Sequence, residues 1–147
     1  MKIGISSDHR GYDTKEKIKN YLKENYEIID LGTFSKERVD YPKYGFALGE
    51  LISTKKADYG IAICGSAIGI SIACNKVKGI RCGKVNTEKE AIHAKENDFV
   101  NIIAISGEAQ LEENIKIINA FLTAKENTSD PAYLERIEQI KRYENDC

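Results

Sequence analysis

Two hydrophobic rhythms alternate along the chain. Residues 2–6, 27–31, 59–64, 80–85 and 102–106 are short, rich in isoleucine and apolar at nearly every position. Runs of that kind are strands covered on both faces, because a half-exposed strand would alternate apolar with polar residues. The stretches between them carry helical signals. Asp13, Thr14, Lys15 and Glu16 resemble a capping box opening a helix to about Lys23, and Thr87 with Glu90 has the standard form for a later one. Pro42 suits the first turn of a helix ending near Ser53. A short helical stretch is expected over residues 70–76. Leu111, Ile115, Ile118 and Leu122 recur at helical spacing and are expected to face the sheet. Asp130-Pro131 is a cap followed by a first-turn proline, launching a last helix with Leu134, Ile137 and Ile140 on one stripe.

Strand–helix alternation of this kind predicts an α/β fold: a three-layer, doubly wound (Rossmann-like), five-stranded parallel sheet with a C-terminal helix. No repeat, low-complexity tract or linker interrupts it, so residues 1–147 read as one domain. The last helix is charged away from its apolar stripe, and either docks on its own domain or packs on a partner subunit.

Composition narrows the function. A net charge of −1 supplies no global field toward nucleic acid or an anionic membrane, so an anionic ligand has to be held by local groups. No apolar run approaches the roughly 20 residues that span a bilayer. Met1-Lys2-Ile3-Gly4-Ile5 leads straight into a strand without a signal-peptide pattern, and a cytoplasmic protein is expected. The cysteines, Cys64, Cys74, Cys82 and Cys147, form no Cys-x-x-Cys pair, and His9 and His93 are the only histidines. That is poor material for a zinc site or a disulfide framework. Cysteines in apolar surroundings behave as inert core thiols.

In open parallel sheets, ligands bind beyond the carboxyl ends of the strands. Three loops are assigned to that edge: residues 6–12, 64–71 and 96–101. In the second, Gly65 and Gly69 permit a tight turn into a helix, so backbone N–H groups converge at a positive helix end and favour an oxyanion or phosphate. It is neither a Walker loop nor a dinucleotide fingerprint. Cys64 ends the strand before it; such a thiol is either a buried structural residue or a base whose thiolate the helix end favours. Asp8 and His9 are either a turn with its cap or ligands for hydroxyl and phosphate groups. His93, inside a helix, reads as an ordinary surface or packing residue.

Five segments occur in order: Ser7-Asp8-His9-x-Gly11, Asp30-x-Gly32-Thr33, Asp40-Tyr41-Pro42, the block Ile63-Cys64-Gly65-Ser66-Ala67-Ile68-Gly69-Ile70-Ser71-Ile72-Ala73-Cys74-Asn75-Lys76, and Gly79-Ile80-Arg81. Together they resemble the type B ribose-5-phosphate isomerases and the related galactose-6-phosphate isomerase subunits, over most of the chain to about Ile105. The resemblance implies an aldose–ketose isomerase of a phosphorylated sugar without metal or other cofactor. It implies a homodimer or dimer of dimers sharing active sites, or a hetero-oligomer with a paralogue. It casts Cys64 as the base that moves a proton between C1 and C2 through a cis-enediolate. Ser66 and the amides of Gly65, Ala67, Ile68 and Gly69 would stabilise that enediolate. Asp8 would hold a hydroxyl, His9 the phosphate end, and Tyr41 would enclose the substrate.

Three positions depart from the family. Where its members carry a His-Asn pair for ring opening and substrate binding, an ungapped alignment places Asn97-Asp98, and a one-residue shift places Glu96-Asn97. Where an arginine after the fifth strand contacts phosphate, this chain has Glu108. Near the C-terminus, Arg136 alone corresponds to a phosphate-binding arginine. A carboxylate near the phosphate and an amide in place of a proton donor predict that ribose 5-phosphate is a poor substrate for this chain alone. The alternatives are a galactose-6-phosphate-type isomerase, another altered specificity, or a non-catalytic partner subunit.

Overall fold

The computed structural model describes residues 1–146; Cys147 lies outside them. The elements in order are β1 (Lys2–Ser7), a short 3-10 turn (His9–Gly11), α1 (Tyr12–Leu22), β2 (Glu27–Asp30), α2 (Tyr41–Ser53), β3 (Tyr59–Cys64), α3 (Ile68–Asn75), β4 (Cys82–Lys84), α4 (Glu88–Asp98), β5 (Ile102–Ser106), α5 (Leu111–Thr123) and α6 (Pro131–Asn145). The five strands are all parallel, in the order β2-β1-β3-β5-β4. Strand order reverses between β1 and β3, opening a crevice at their carboxyl ends. β5 is nearly all buried and so takes a central place, whereas β4 shrinks to three partly exposed residues at the edge.

Strand alternation sorts side chains by size between the two faces. Ile3, Ile5, Ile61, Ile63, Ile103 and Ile105 point to one side and pack on residues of α1, α4 and α5. On the other side Gly4, Gly60, Ala62, Cys64 and Ala104 leave room for α2 and α3 to approach. A methyl on Gly4 would stand 2.6 Å from the Leu51 side chain.

Several local expectations shift. α1 begins at Tyr12 with Gly11 as its cap, and Asp13 lies inside the first turn; the capping carboxylate is Asp8, which accepts from the Arg10 and Gly11 amides at 3.0 and 3.1 Å. The Thr87 hydroxyl caps Glu90 as expected, but the returning Glu90 carboxylate accepts from Asn86 N–H, one residue early. Along α5 the buried stripe is Asn114, Ile117, Ile118, Phe121 and Leu122, with Ile115 half-buried instead of facing the sheet. Asn114 belongs to it because its amide donates to Ser106 O at 2.9 Å. α6 docks on its own domain through buried Ile137 and the Glu144 carboxylate, which accepts from Gly79 N–H at 2.8 Å. Leu134 and Ile140 stay exposed.

Lys95 is 1% exposed, and its ammonium donates to Phe121 O at 2.7 Å and Ala124 O at 3.4 Å, satisfying carbonyls at the end of α5. Burial lowers its pKa to about 8. Between that value and its ordinary range near 10.4, the unfolded chain binds more protons, so this residue makes stability rise with pH. Comparing wild type with Lys95→Met by urea unfolding should therefore show the difference moving toward wild type by on the order of 2 kcal/mol from pH 7 to pH 10. A difference that is flat with pH would contradict the depressed amine.

Candidate active site

The loops after β1, β3 and β5 meet at the carboxyl edge of the sheet. Asp8 N–H donates to Ile63 O at 3.2 Å and Gly107 N–H to Cys64 O at 2.9 Å, tying the first and third loops to the end of β3. Asp8 is buried, and its Oδ1 is occupied by the two capping bonds, leaving Oδ2 outside them. His9 Nδ1 stands 3.1 Å from Val39 O and 3.2 Å from Val39 N, so the preceding loop of α2 fixes the ring while Nε2 takes no part. Ser7 Oγ, at the end of β1, is buried without a hydrogen-bond partner among the described residues.

The segment from Cys64 to Gly69 is shaped by two side chains from elsewhere. A methyl added to Gly65 would stand 2.5–2.8 Å from the Arg10 guanidinium. One added to Gly69 would stand 2.7–2.9 Å from the Tyr41 ring. The absence of a β-carbon at Gly65 and Gly69 thus lets the end of the Arg10 side chain and the Tyr41 ring lie against the loop backbone. Between them Ala67 adopts a left-handed conformation (φ 67°) as the cap of α3, a strained state for a residue with a β-carbon. Gly65, Ser66 and Ala67 N–H donate no hydrogen bond among the described residues, and Gly69 N–H lies in the first helical turn, where no intrahelical acceptor exists. The Ile68 amide is the exception to the expected cradle. Ser66 Oγ accepts from it at 3.2 Å, so Ile68 contributes less as an oxyanion donor than its neighbours.

Cys64 is 4% exposed and packs with Ala62, Ala67 and Ala104 at the base of this cradle. Cys74 and Cys82 share a hydrogen bond, which together with burial raises Cys82, so both are core thiols. Among the described residues no cluster of three His, Cys, Asp or Glu side chains could hold a metal ion.

Residues 96–101, expected at this edge, do not belong to it. Asn97 and Asp98 end α4 just before β5 begins, and Asn101 O accepts from Gly60 N–H at the start of β3. They therefore sit at the amino edge, a strand's length from Cys64 of the same chain, because a crossover helix returns to the start of the next strand. There Asn97 Nδ2 lies 2.9 Å from His93 Nδ1, and Asp98 pairs with His93 at 3.7 Å, with His93 and Asp98 exposed and Asn97 half-buried. Arg136 lies on α6, its guanidinium 5.8 Å from the Tyr133 ring, and is likewise not brought to Cys64 within one chain.

Two residues change meaning. Glu108 follows β5 at the carboxyl edge, and its carboxylate pairs with the Arg10 guanidinium. It is therefore not a bare negative charge. Arg10 was overlooked because it occupies the variable place in Ser7-Asp8-His9-x-Gly11; a cation in a strand-end loop beside His9 was the signal available.

Comparison with known proteins agrees with this geometry. The family model described as Ribose/Galactose Isomerase matches residues 3–140. The galactose-6-phosphate isomerase subunit LacB of Clostridium acetobutylicum is 43% identical over 129 residues, covering 85% of this chain and 73% of that one. A solved structure of ribose-5-phosphate isomerase B from Clostridium thermocellum superposes with a TM-score of 0.95 at 38% identity, over 99% of both chains. That of ribose-5-phosphate isomerase B from Mycoplasma genitalium with bound ribulose-5-phosphate has a TM-score of 0.93 at 35% identity, covering 99% of this chain and 97% of that one.

Proposed function

This chain belongs to the ribose/galactose isomerase family, and on that premise we propose that it is a cytoplasmic aldose–ketose isomerase interconverting ribose 5-phosphate and ribulose 5-phosphate. The observation that carries the chemistry is a thiol at the base of a cradle of unpaired amides, at the strand switch point. In this reading the Cys64 thiolate takes the C2 proton of the open-chain aldose, and the C–H electrons move through C1 to the carbonyl oxygen. The amides of Gly65, Ala67 and Gly69, with the Ser66 hydroxyl, meet the resulting enediolate. The C2 hydroxyl passes its proton to O1 of the enediolate, and as the proton held by Cys64 is delivered to C1 the C2 oxygen becomes the carbonyl. Preorganised donors of this kind are usually the largest single contribution to such a step. Asp8 Oδ2 accepts from a sugar hydroxyl, His9 Nε2 faces the phosphate end, and Tyr41 closes the cleft over Gly69.

A second copy completes the site. Hollows of about 610, 440 and 300 Å³ lie at the amino edge and beside α4, and Cys64 lines none of them. The cleft at Cys64 lies at the carboxyl edge, away from these hollows. Beside it Phe46, Ile68 and Ile72 are exposed on the packed pair α2 and α3, an apolar face suited to a partner. Asn97, Asp98 and Arg136, remote from Cys64 in their own chain, are the groups a partner copy would bring.

The pairing of Glu108 with Arg10 offsets the repulsion that was one of the two grounds against ribose 5-phosphate; the other, an amide at Asn97 in place of a proton donor, is decided by the assay below. Purified protein is expected to scatter light as a dimer or larger. It should turn over ribose 5-phosphate with kcat/KM of about 10⁴ M⁻¹s⁻¹ or more. Preference for galactose 6-phosphate would favour the other branch of the family, and no turnover of any aldose phosphate would mark a non-catalytic subunit.

A further inference from the structure

We propose that Arg10 is the cation that receives the substrate's phosphate within this chain, and that Glu108 is the carboxylate that holds its guanidinium over Gly65. The assignment of a phosphate as ligand rests on the isomerase reading; the placement of the cation does not.

Several cations lie in the segments at the carboxyl edge, Arg38 and Lys43 among them, but Arg10 is the one found against the glycine loop among the described contacts. Lys15 is fully buried and donates to Asp30 and Glu16, at 2.7 and 2.8 Å. Lys19 is bound to the same two carboxylates. Lys36 pairs with Asp13 at 3.4 Å. Arg10 differs in three respects. Its backbone is fixed by the Asp8 cap, because the Arg10 amide donates to Asp8 Oδ1. Its guanidinium lies where a β-carbon on Gly65 would stand, directly on the loop that cradles the enediolate. It remains 55% exposed, reachable from the cleft.

Stability does not explain the arrangement. An ion pair with both partners more than half exposed contributes little, and ordering a long side chain opposes it. As a binding device it is efficient. Glu108 engages Nη2, and a guanidinium has five N–H donors in a planar fork, so the remaining donors can meet phosphate oxygens. Glu108 is itself positioned: its N–H donates to Ser106 Oγ at 3.1 Å, and Ser106 Oγ donates to Gly65 O at 2.5 Å. The carboxylate, the guanidinium and the glycine loop are thus one connected unit. His9 precedes Arg10, and its Nε2 is not used by the Val39 contacts, so in this proposal the two share the anion.

The test measures inorganic phosphate binding by calorimetry, alongside steady-state kinetics, for wild type, Arg10→Ala and Lys116→Ala. Lys116 lies on α5 in an exposed pair with Glu113 and serves as the charge control. Loss of a charge-assisted contact should weaken phosphate binding about ten- to hundredfold in Arg10→Ala. KM for the phosphosugar should rise by a similar factor, kcat should change much less, and Lys116→Ala should behave as wild type. Arg10→Gln, closer in size, carries the same expectation if the alanine variant is unstable. Unchanged phosphate affinity and KM in an active Arg10 variant would overturn the assignment while leaving the isomerase reading intact. Equal losses in Arg10→Ala and Lys116→Ala would overturn it too, by reducing it to diffuse charge. Arg10-dependent phosphate binding without turnover of any phosphosugar would instead uphold Arg10 as the anion-binding residue and refute the isomerase reading.

Discussion

Replacement of Cys64 by alanine is expected to lower kcat by about 10²–10⁴-fold, the usual contribution of a positioned general base, while the protein stays folded. Cys64 lies among Ala62, Ala67 and Ala104, where removing one sulfur leaves a small void costing about 1 kcal/mol. The loss of rate corresponds to roughly 3–5 kcal/mol of transition-state stabilisation, so activity and stability should separate clearly. Turnover in D₂O gives an independent readout. If the base exchanges its proton with solvent during the enediolate step, deuterium enters the product in wild type and at a correspondingly lower rate in the variant. Near-normal turnover in Cys64→Ala would move the base to another residue.

Asp30→Asn should destabilise the fold by roughly 3 kcal/mol, the lower end of the range for breaking a buried ion pair. Asp30 Oδ2 accepts from Lys15 at 2.7 Å and Lys19 at 2.9 Å, and Oδ1 from Gly32 N–H at 2.9 Å. Lys15 is fully buried, so losing the carboxylate leaves an ammonium with Glu16 as its remaining acidic partner. Burial would raise the Asp30 carboxyl, but the two lysines and the Gly32 amide together outweigh it and hold the pKa below the ordinary value. Glu16 is lowered as well, chiefly by its bond to Lys15. Both are carboxyls with depressed folded-state pKa, so their stabilisation is present above the unfolded values near 4 and disappears as pH falls through the folded ones. Urea midpoints for wild type and Asp30→Asn should differ most at neutral pH and converge in acid. Equal midpoints at pH 7 would mean that Glu16 alone suffices for Lys15. The Asp30-x-Gly32 segment that marks the family thus has a structural duty in this chain, anchoring α1 to the end of β2.

Much of the site was legible because its parts are local. The Cys64–Gly69 turn, the Asp8 cap and Tyr41 each lie within a few residues of a strand or helix end that the hydrophobic rhythm already located. Asn97 was misplaced for a definable reason. Residues 96–101 precede β5 rather than follow it, and a loop that enters a parallel strand lies at the opposite edge from one that leaves. Glu108 was misread for another: a charge has no fixed sign of effect until its neighbour is known, and Arg10 is 98 residues away in the chain.

The order of elements, the parallel sheet and the place of the Cys64 thiol at a strand end were determined by the sequence itself, since each follows from periodicity or from bonds between near neighbours. The placing of β5 inside β4, the seating of Arg10 on Gly65 and Tyr41 on Gly69, and the separation of Asn97 and Arg136 from Cys64 were decided only by the tertiary structure. Those depend on which surfaces meet once the chain has closed, and contact between distant segments is set by the packing of the whole sheet rather than by any local preference.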